Sequence, residues 1–125
     1  MAIPKNYQQV MPYLIVNDAA KFIQFAEKVF NAKETYKAMR DEHVIMHAEI
    51  MIGTSTIMLA DSTEKFQPRP AGLFVYVDDA DICYKNALSA GATSVMEPAD
   101  QPYGRSGGVL DAHGNTWWLT SSPLE

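Results

Sequence analysis

Ile15-Val16-Asn17-Asp18-Ala19-Ala20 returns 61 residues later as Tyr76-Val77-Asp78-Asp79-Ala80-Asp81. In both copies an apolar, strand-like run ends in an acidic or amide residue suited to capping a helix, and an amphipathic stretch follows. Ala26 returns as Ala87 at the same offset. Two copies are too few for a solenoid, which needs about three stacked repeats or more. They point instead to two small modules sharing one sheet or one cleft. A ligand site is then expected at the pseudo-symmetric seam.

Working outward from the first copy, Val10 to Val16 reads as a strand, with Pro12 placing it near an edge or a strand start. Asp18 is the expected N-cap, and Ala19, Phe22, Ile23, Ala26, Val29 and Phe30 recur at helical spacing up to the stop at Asn31. Lys33 to Met39 is a polar strand. His43 to Ile52 alternates, with Val44, Met46, Ala48, Ile50 and Ile52 on one face and His43, Ile45, His47, Glu49 and Met51 on the other. Gly53 to Ser55 is a tight turn, and Thr56 to Ala60 runs back as the hairpin partner.

The stretch from Asp61 to Ala71, with Pro68 and Pro70, is the expected connection. Leu73 to Val77 is the next strand. Asp79 caps a second helix with the stripe Ala80, Cys83, Ala87 and Ala90, closed by Gly91. Ala92 to Met96 reads as a short strand and Glu97 to Tyr103 as a loop with two prolines. Arg105 to Leu110 and Thr116 to Ser121 form a hairpin around Asp111-Ala112-His113-Gly114-Asn115, where Gly114 and Asn115 suit positive φ. The order is βαβββ twice, an α+β chain in one domain. Module 1 covers about 10–60, a linker 61–71, and module 2 about 72–121.

A chain of 125 residues with 47% hydrophobic content suffices for one globular domain with a core. The net charge of −5 and the scattering of the ten Lys and Arg residues argue against nucleic acid or an anionic membrane as partner. No apolar run is long enough to span a bilayer. The opening Met1-Ala2-Ile3-Pro4-Lys5 has no features of a signal peptide, and the cytoplasm is the expected address. Cys83 is the one cysteine, so no internal disulfide forms, and its place on an apolar stripe makes it a small core residue.

These elements carry a resemblance. Pro12-Tyr13-Leu14, His47-Ala48-Glu49, Val77-Asp78-Asp79, Tyr103-Gly104-Arg105-Ser106-Gly107-Gly108 and Asp111-Ala112-His113-Gly114-Asn115-Thr116-Trp117 are similar to the vicinal oxygen chelate superfamily. That superfamily includes glyoxalase I, extradiol dioxygenases and bleomycin-resistance proteins, and the chain looks nearest to its small bacterial, PhnB-like branch. The resemblance runs from about Val10 to Ser121. It implies an open barrel of two modules around a cleft, and a homodimer. It also implies a divalent metal held by four side chains, at positions that align here with Met11, Met58, Gly72 and Trp118. None of these offers imidazole nitrogen or carboxylate oxygen, so no metal is expected at these positions and no cofactor is expected, a metal bound elsewhere staying open.

His43 and His47 stand roughly 13 Å apart along a strand, too far to share a metal. His47 and Glu49 are next neighbours on one face and suit a hydrogen-bonded pair, or a base and its orienter. Met11, Tyr13, Met58, Phe74, Tyr76 and Trp118 are expected to line the cleft for a small apolar or aromatic ligand. Arg105, among glycines, is expected to clamp an anionic group, the competing reading being an ion pair with Asp100 or Asp111. Two functions stay open: a small-molecule binding protein, or a glyoxalase-like lyase, isomerase or dioxygenase with His47 and Glu49 as its acid and base groups.

Overall fold

β1 (Tyr13–Val16) starts later than the sequence suggests. Pro12 cannot donate to a ladder, but its carbonyl still accepts Met58 N–H at 3.0 Å, so pairing begins one residue before the strand proper. α1 (Ala19–Phe30), β2 (Lys33–Met39), β3 (Ile45–Ile52) and β4 (Ser55–Asp61) follow. The sheet order is β1-β4-β3-β2, with β1 parallel to β4 and the other pairs antiparallel. β5 (Gly72–Tyr76), α2 (Ala80–Ser89), β6 (Thr93–Gln101), β7 (Gly104–Leu110) and β8 (Thr116–Ser121) repeat the plan, in the order β5-β8-β7-β6. The architecture is therefore α+β, two βαβββ modules. The computed structural model describes residues 1–124. The chain gathers into two units, residues 1–27 with 31–69, and residues 28–30 with the chain from Pro70 onward.

The repeat is visible in strand register as well as in sequence. Tyr13 pairs with Met58 in the first sheet, and Phe74 pairs with Trp118 in the second. Each helix also starts the same way. Asp18 and Asp79 accept hydrogen bonds from the backbone N–H of Lys21 and Ile82. The first helical N–H of each is taken by a side chain at the end of its module's last strand: Ala19 by Asp61 at 2.7 Å, Ala80 by Ser121 at 2.6 Å. These N–H groups have no partner within their own helix, so the strand end fixes where the helix begins.

In the first unit, Leu14, Val16, Ala48, Ile50, Ile57 and Leu59 make the buried apolar face of the sheet. The alternation assigned Met46 to that face and Ile45 to the other, whereas Ile45 is buried and Met46 exposed. The register shift between Ala38 and Met39 accounts for this, since a bulge moves the side chains beyond it to the opposite face.

In the second unit β6 runs on through Pro98 to Gln101, where the sequence suggests a loop. β6 is the terminal strand of its sheet and has register shifts on either side of Met96, the setting in which a strand tolerates proline. Trp117 is buried, and its ring meets Phe30 at 4.7 Å. The Cys83 thiol is buried on α2 and directed at the Val29 carbonyl, and burial pushes its pKa up to about 11.

The Asp111–Asn115 turn is held by a buried carboxylate. One Asp111 oxygen accepts the backbone N–H groups of His113 and Asn115, at 2.8 and 2.9 Å. The other accepts Trp117 Nε1–H at 2.8 Å and the Asn115 amide at 3.3 Å. Asn115 Oδ1 in turn accepts Ala71 N–H, tying the turn to the segment before β5. Gly114 takes the positive φ of this turn, and Asn115 does not.

Candidate functional site

Strand alternation places His47 and Glu49 on the same face of β3, and the two side chains meet at 2.7 Å between Nε2 and Oε2. A carboxylate only accepts, so the imidazole proton lies on Nε2 and neutral His47 is an acceptor at Nδ1. Tyr13, at the start of β1, meets that atom: its hydroxyl lies 3.0 Å from Nδ1, with its ring stacked on the imidazole at 5.4 Å. Tyr36 from β2, paired in register with Glu49, approaches the imidazole at 5.9 Å. The far carboxylate oxygen accepts Tyr7 O–H at 2.5 Å. The result is a continuous chain in which Tyr13 donates to His47, His47 donates to Glu49, and Tyr7 donates to Glu49 from the other side.

Burial grades along this chain. Glu49 is 6% exposed, whereas Tyr13 and Tyr36 are 50% and 53% exposed. Burial alone pushes the Glu49 carboxyl up, but the hydrogen bonds from Tyr7 and His47 outweigh it and hold the group below its ordinary value. The same bond to Glu49 raises the Tyr7 phenol. Among the described residues no Lys or Arg is paired with any of these four groups, so the chain carries one buried negative charge and ends at an exposed phenol.

Among the described residues the second module shows no such chain, and the register says why. Gly108 is the residue paired with Trp118, as Glu49 is with Met58. A Cβ at Gly108 would stand 2.6 Å from the Trp118 ring, so the indole lies where a side chain would otherwise rise from β7. Next to it Ser106 and Thr120 bond to each other at 2.9 Å and are buried. Phe74 and Tyr76 are exposed and in edge contact at 5.3 Å, and Tyr103 lies 6.1 Å from Phe74.

Of the residues singled out from sequence, Tyr13, His47, Glu49 and Met58 fall together on one face of the first sheet. Met11 is half-buried just before β1. Phe74, Tyr76 and Trp118 share one face of the second sheet. Arg105 is engaged: Nε and Nη2 make a two-pronged pair with Asp81 at 2.7 and 3.1 Å, and Nη1 reaches Asp100 at 3.2 Å. The Arg105 bond holds Asp81 below the ordinary carboxylate range. The guanidinium thus fastens the first turn of α2 to β6 and β7. Tyr7 and Tyr36 were not anticipated. Tyr36 lies in a strand read as merely polar, and Tyr7 precedes the first element with any periodicity.

The side chains at Met11, Met58, Gly72 and Trp118, the positions that the resemblance aligns with the family's metal ligands, are two thioethers, a glycine and an indole, a set that does not fit a divalent ion. Among the described residues no group of three or more His, Cys, Asp or Glu side chains converges on one point.

A profile of the Glyoxalase/Bleomycin resistance protein/Dioxygenase superfamily matches residues 7–119. An uncharacterised protein of Mycobacterium bovis is 34% identical over 120 residues, covering 86% of this chain and 79% of that protein. Among solved structures, the antibiotic binding protein TnmS3 from a Streptomyces species superposes with a TM-score of 0.73 at 21% identity, covering 98% of each chain. The PhnB protein of Bacillus cereus superposes with a TM-score of 0.70 at 18% identity, covering 92% of this chain and all of that one. With its repeated βαβββ plan, the chain belongs to the glyoxalase/bleomycin resistance protein/dioxygenase superfamily.

Proposed function

We propose that the chain binds a small planar aromatic molecule bearing a hydrogen-bond donor, on the face formed by Tyr13, Tyr36, His47 and Met58, without a metal at the family positions. The observation that carries this reading is the geometry of the hydrogen-bond chain from the exposed Tyr13 hydroxyl through His47 to buried Glu49. With His47 neutral and its proton on Nε2, Tyr13 O–H is spent on Nδ1, and the exposed oxygen of Tyr13 offers lone pairs to a ligand O–H or N–H. A donor placed there extends a chain of bonds that polarise one another toward Glu49. The exposed rings of Tyr13 and Tyr36 offer flat apolar surface. The buried Glu49 charge opposes an anion, and Arg105, the one expected anion clamp, is occupied by Asp81 and Asp100. The antibiotic-binding title of a structural neighbour is in keeping with this reading. The homodimer and the cytoplasmic address expected from sequence belong to the same proposal.

Isothermal titration with 2-naphthol and 2-naphthoate tests it. 2-Naphthol binds and 2-naphthoate does not. Tyr13→Phe, which keeps the ring, weakens 2-naphthol about fivefold for one lost hydrogen bond. Tyr13→Ala weakens it about thirtyfold, since stacking is lost as well. Equal affinity for the two compounds, or an unchanged Kd in Tyr13→Ala, would overturn the reading.

A second reading rests on the same chain. Tyr13 O–H followed by His47 and Glu49 is a route by which a ligand hydroxyl could pass a proton inward, the geometry of a general base with its orienter. Under that reading His47→Ala abolishes turnover of a substrate while leaving the protein folded. Under the binding reading it lowers affinity and there is no turnover to lose.

A further inference from the structure

Four of the hydrogen bonds that shape the site's surroundings come from a segment outside the helices and strands. Residues Pro4 to Tyr7 form a turn closed by Tyr7 N–H to Pro4 C=O at 3.1 Å, with Asn6 at φ 71°, a left-handed conformation that asparagine tolerates. The segment is then fastened to one residue of β4. The Gln8 amide makes a two-way pair with the Thr56 backbone, accepting its N–H at 3.1 Å and donating to its carbonyl at 3.1 Å. The Thr56 hydroxyl donates to the Asn6 carbonyl at 2.5 Å. β1 begins only at Tyr13, opposite Met58, so Thr56 lies beyond its reach. The Gln8 side chain supplies the backbone-like partner that a longer β1 would have supplied.

Thr56 stands two residues from Met58 on the strand face that carries Glu49, and this fastening delivers the Tyr7 hydroxyl to Glu49 Oε1. We propose that residues 4–8 are a positioning strap: Tyr7 fixes the Glu49 carboxylate, so that its other oxygen is committed to His47 Nε2 and His47 Nδ1 is committed to Tyr13. Tyr7 touches neither His47 nor Tyr13 by any hydrogen bond among the described residues, and it acts through Glu49 alone. The inference rests on the Tyr13–His47 face being the site, but not on which molecule binds there. The charged and titratable groups facing Glu49 are Tyr7 from the strap and His47 from β3, with Tyr36 of β2 next to Tyr7.

The test is a carboxyl-carbon NMR titration of Glu49 in the full chain, in the wild type, Tyr7→Phe and Gln8→Ala, with folding checked by circular dichroism. Tyr7→Phe removes a bond that stabilises the carboxylate and leaves the burial that opposes it, so the Glu49 titration midpoint moves up. Gln8→Ala, which contacts neither Glu49 nor the exposed face, moves it in the same direction by loosening the strap. A merely structural segment would lower the melting temperature of both variants and leave the midpoint where it is, and that result overturns the proposal. So does a shift in Tyr7→Phe with none in Gln8→Ala, which would mean that Tyr7 holds its place without the fastening at Thr56. A parallel titration with 2-naphthol separates the two claims. Shifted midpoints with no 2-naphthol binding to the wild type uphold the strap and reject the binding reading, whereas binding with unshifted midpoints does the reverse.

Discussion

Replacing Asp111 by alanine removes the acceptor for four donors at once: the N–H groups of His113 and Asn115, the Asn115 amide and the Trp117 indole. Asp111 itself is 4% exposed, and Asn115 and Trp117 are 0% and 1% exposed, so water does not reach three of the four without rearrangement of the turn. A buried donor stripped of its acceptor costs about 1–3 kcal/mol. Three such donors, partly relieved by relaxation, bring the loss to about 3–5 kcal/mol, a large share of a typical domain's stability. In urea, with a slope of about 1–3 kcal/mol per molar, the unfolding midpoint falls by about 2 M. Asp111→Asn keeps one acceptor oxygen and falls between wild type and Asp111→Ala. Equilibrium unfolding followed by far-ultraviolet circular dichroism reads all three proteins. A shift under about 0.5 M for Asp111→Ala would refute the reasoning that the Asp-x-x-Gly-Asn turn is a structural knot.

Other outcomes follow from the same geometry. Gly108→Ala places a Cβ 2.6 Å from the Trp118 ring, so the indole must shift; a loss of about 1–3 kcal/mol and a changed tryptophan emission are expected, against neither if the ring has room. Glu49 is held below its ordinary value of 4.5, so its contribution to stability is present above that pH and lost as pH falls through the lower folded value; thermal melting across the acid range shows a smaller acid loss in Glu49→Gln than in the wild type, the remainder belonging to carboxylates such as Asp81 that are also held low. The Cys83 thiol, raised to about 11, stays unreactive toward a disulfide reagent at pH 8 until urea unfolds the chain, and prompt labelling of the native protein would contradict its burial.

The modules, their helices and the strand alternation were legible because each rests on local physics. Asp18 and Asp79 cap what they were expected to cap, and Asn31 ends α1 in the left-handed conformation. His47 and Glu49 were found for the same reason, since residues two apart on a strand share a face. Tyr13 was assigned to an apolar lining, and its hydroxyl turns out to be the outer link of the chain, because the parallel pairing of β1 with β4 lets its side chain reach across β4 to His47 on β3. Tyr7 lies 42 residues from Glu49, and no periodicity connects them. The extension of β6 through Pro98 was hidden because proline reads as a breaker unless its strand is known to be terminal. For Arg105 an ion pair with Asp100 or Asp111 was weighed against an anion clamp; the Asp100 pair is present and the Asp111 pair is not among the described contacts, while Asp81, in the first turn of α2, was not considered as its partner.

The central claim is that a donor-bearing aromatic molecule sits on the Tyr13–Tyr36–His47 face of the first sheet. The most direct measurement is a two-dimensional amide and aromatic NMR titration of the isotope-labelled protein with 2-naphthol, repeated with 2-naphthoate. The expected result is saturable shifts at Tyr13, Tyr36, His47 and Met58 with 2-naphthol, and none there with 2-naphthoate. Shifts confined to Phe74, Tyr76 and Tyr103, or shifts at His47 that the anion produces equally well, would contradict it.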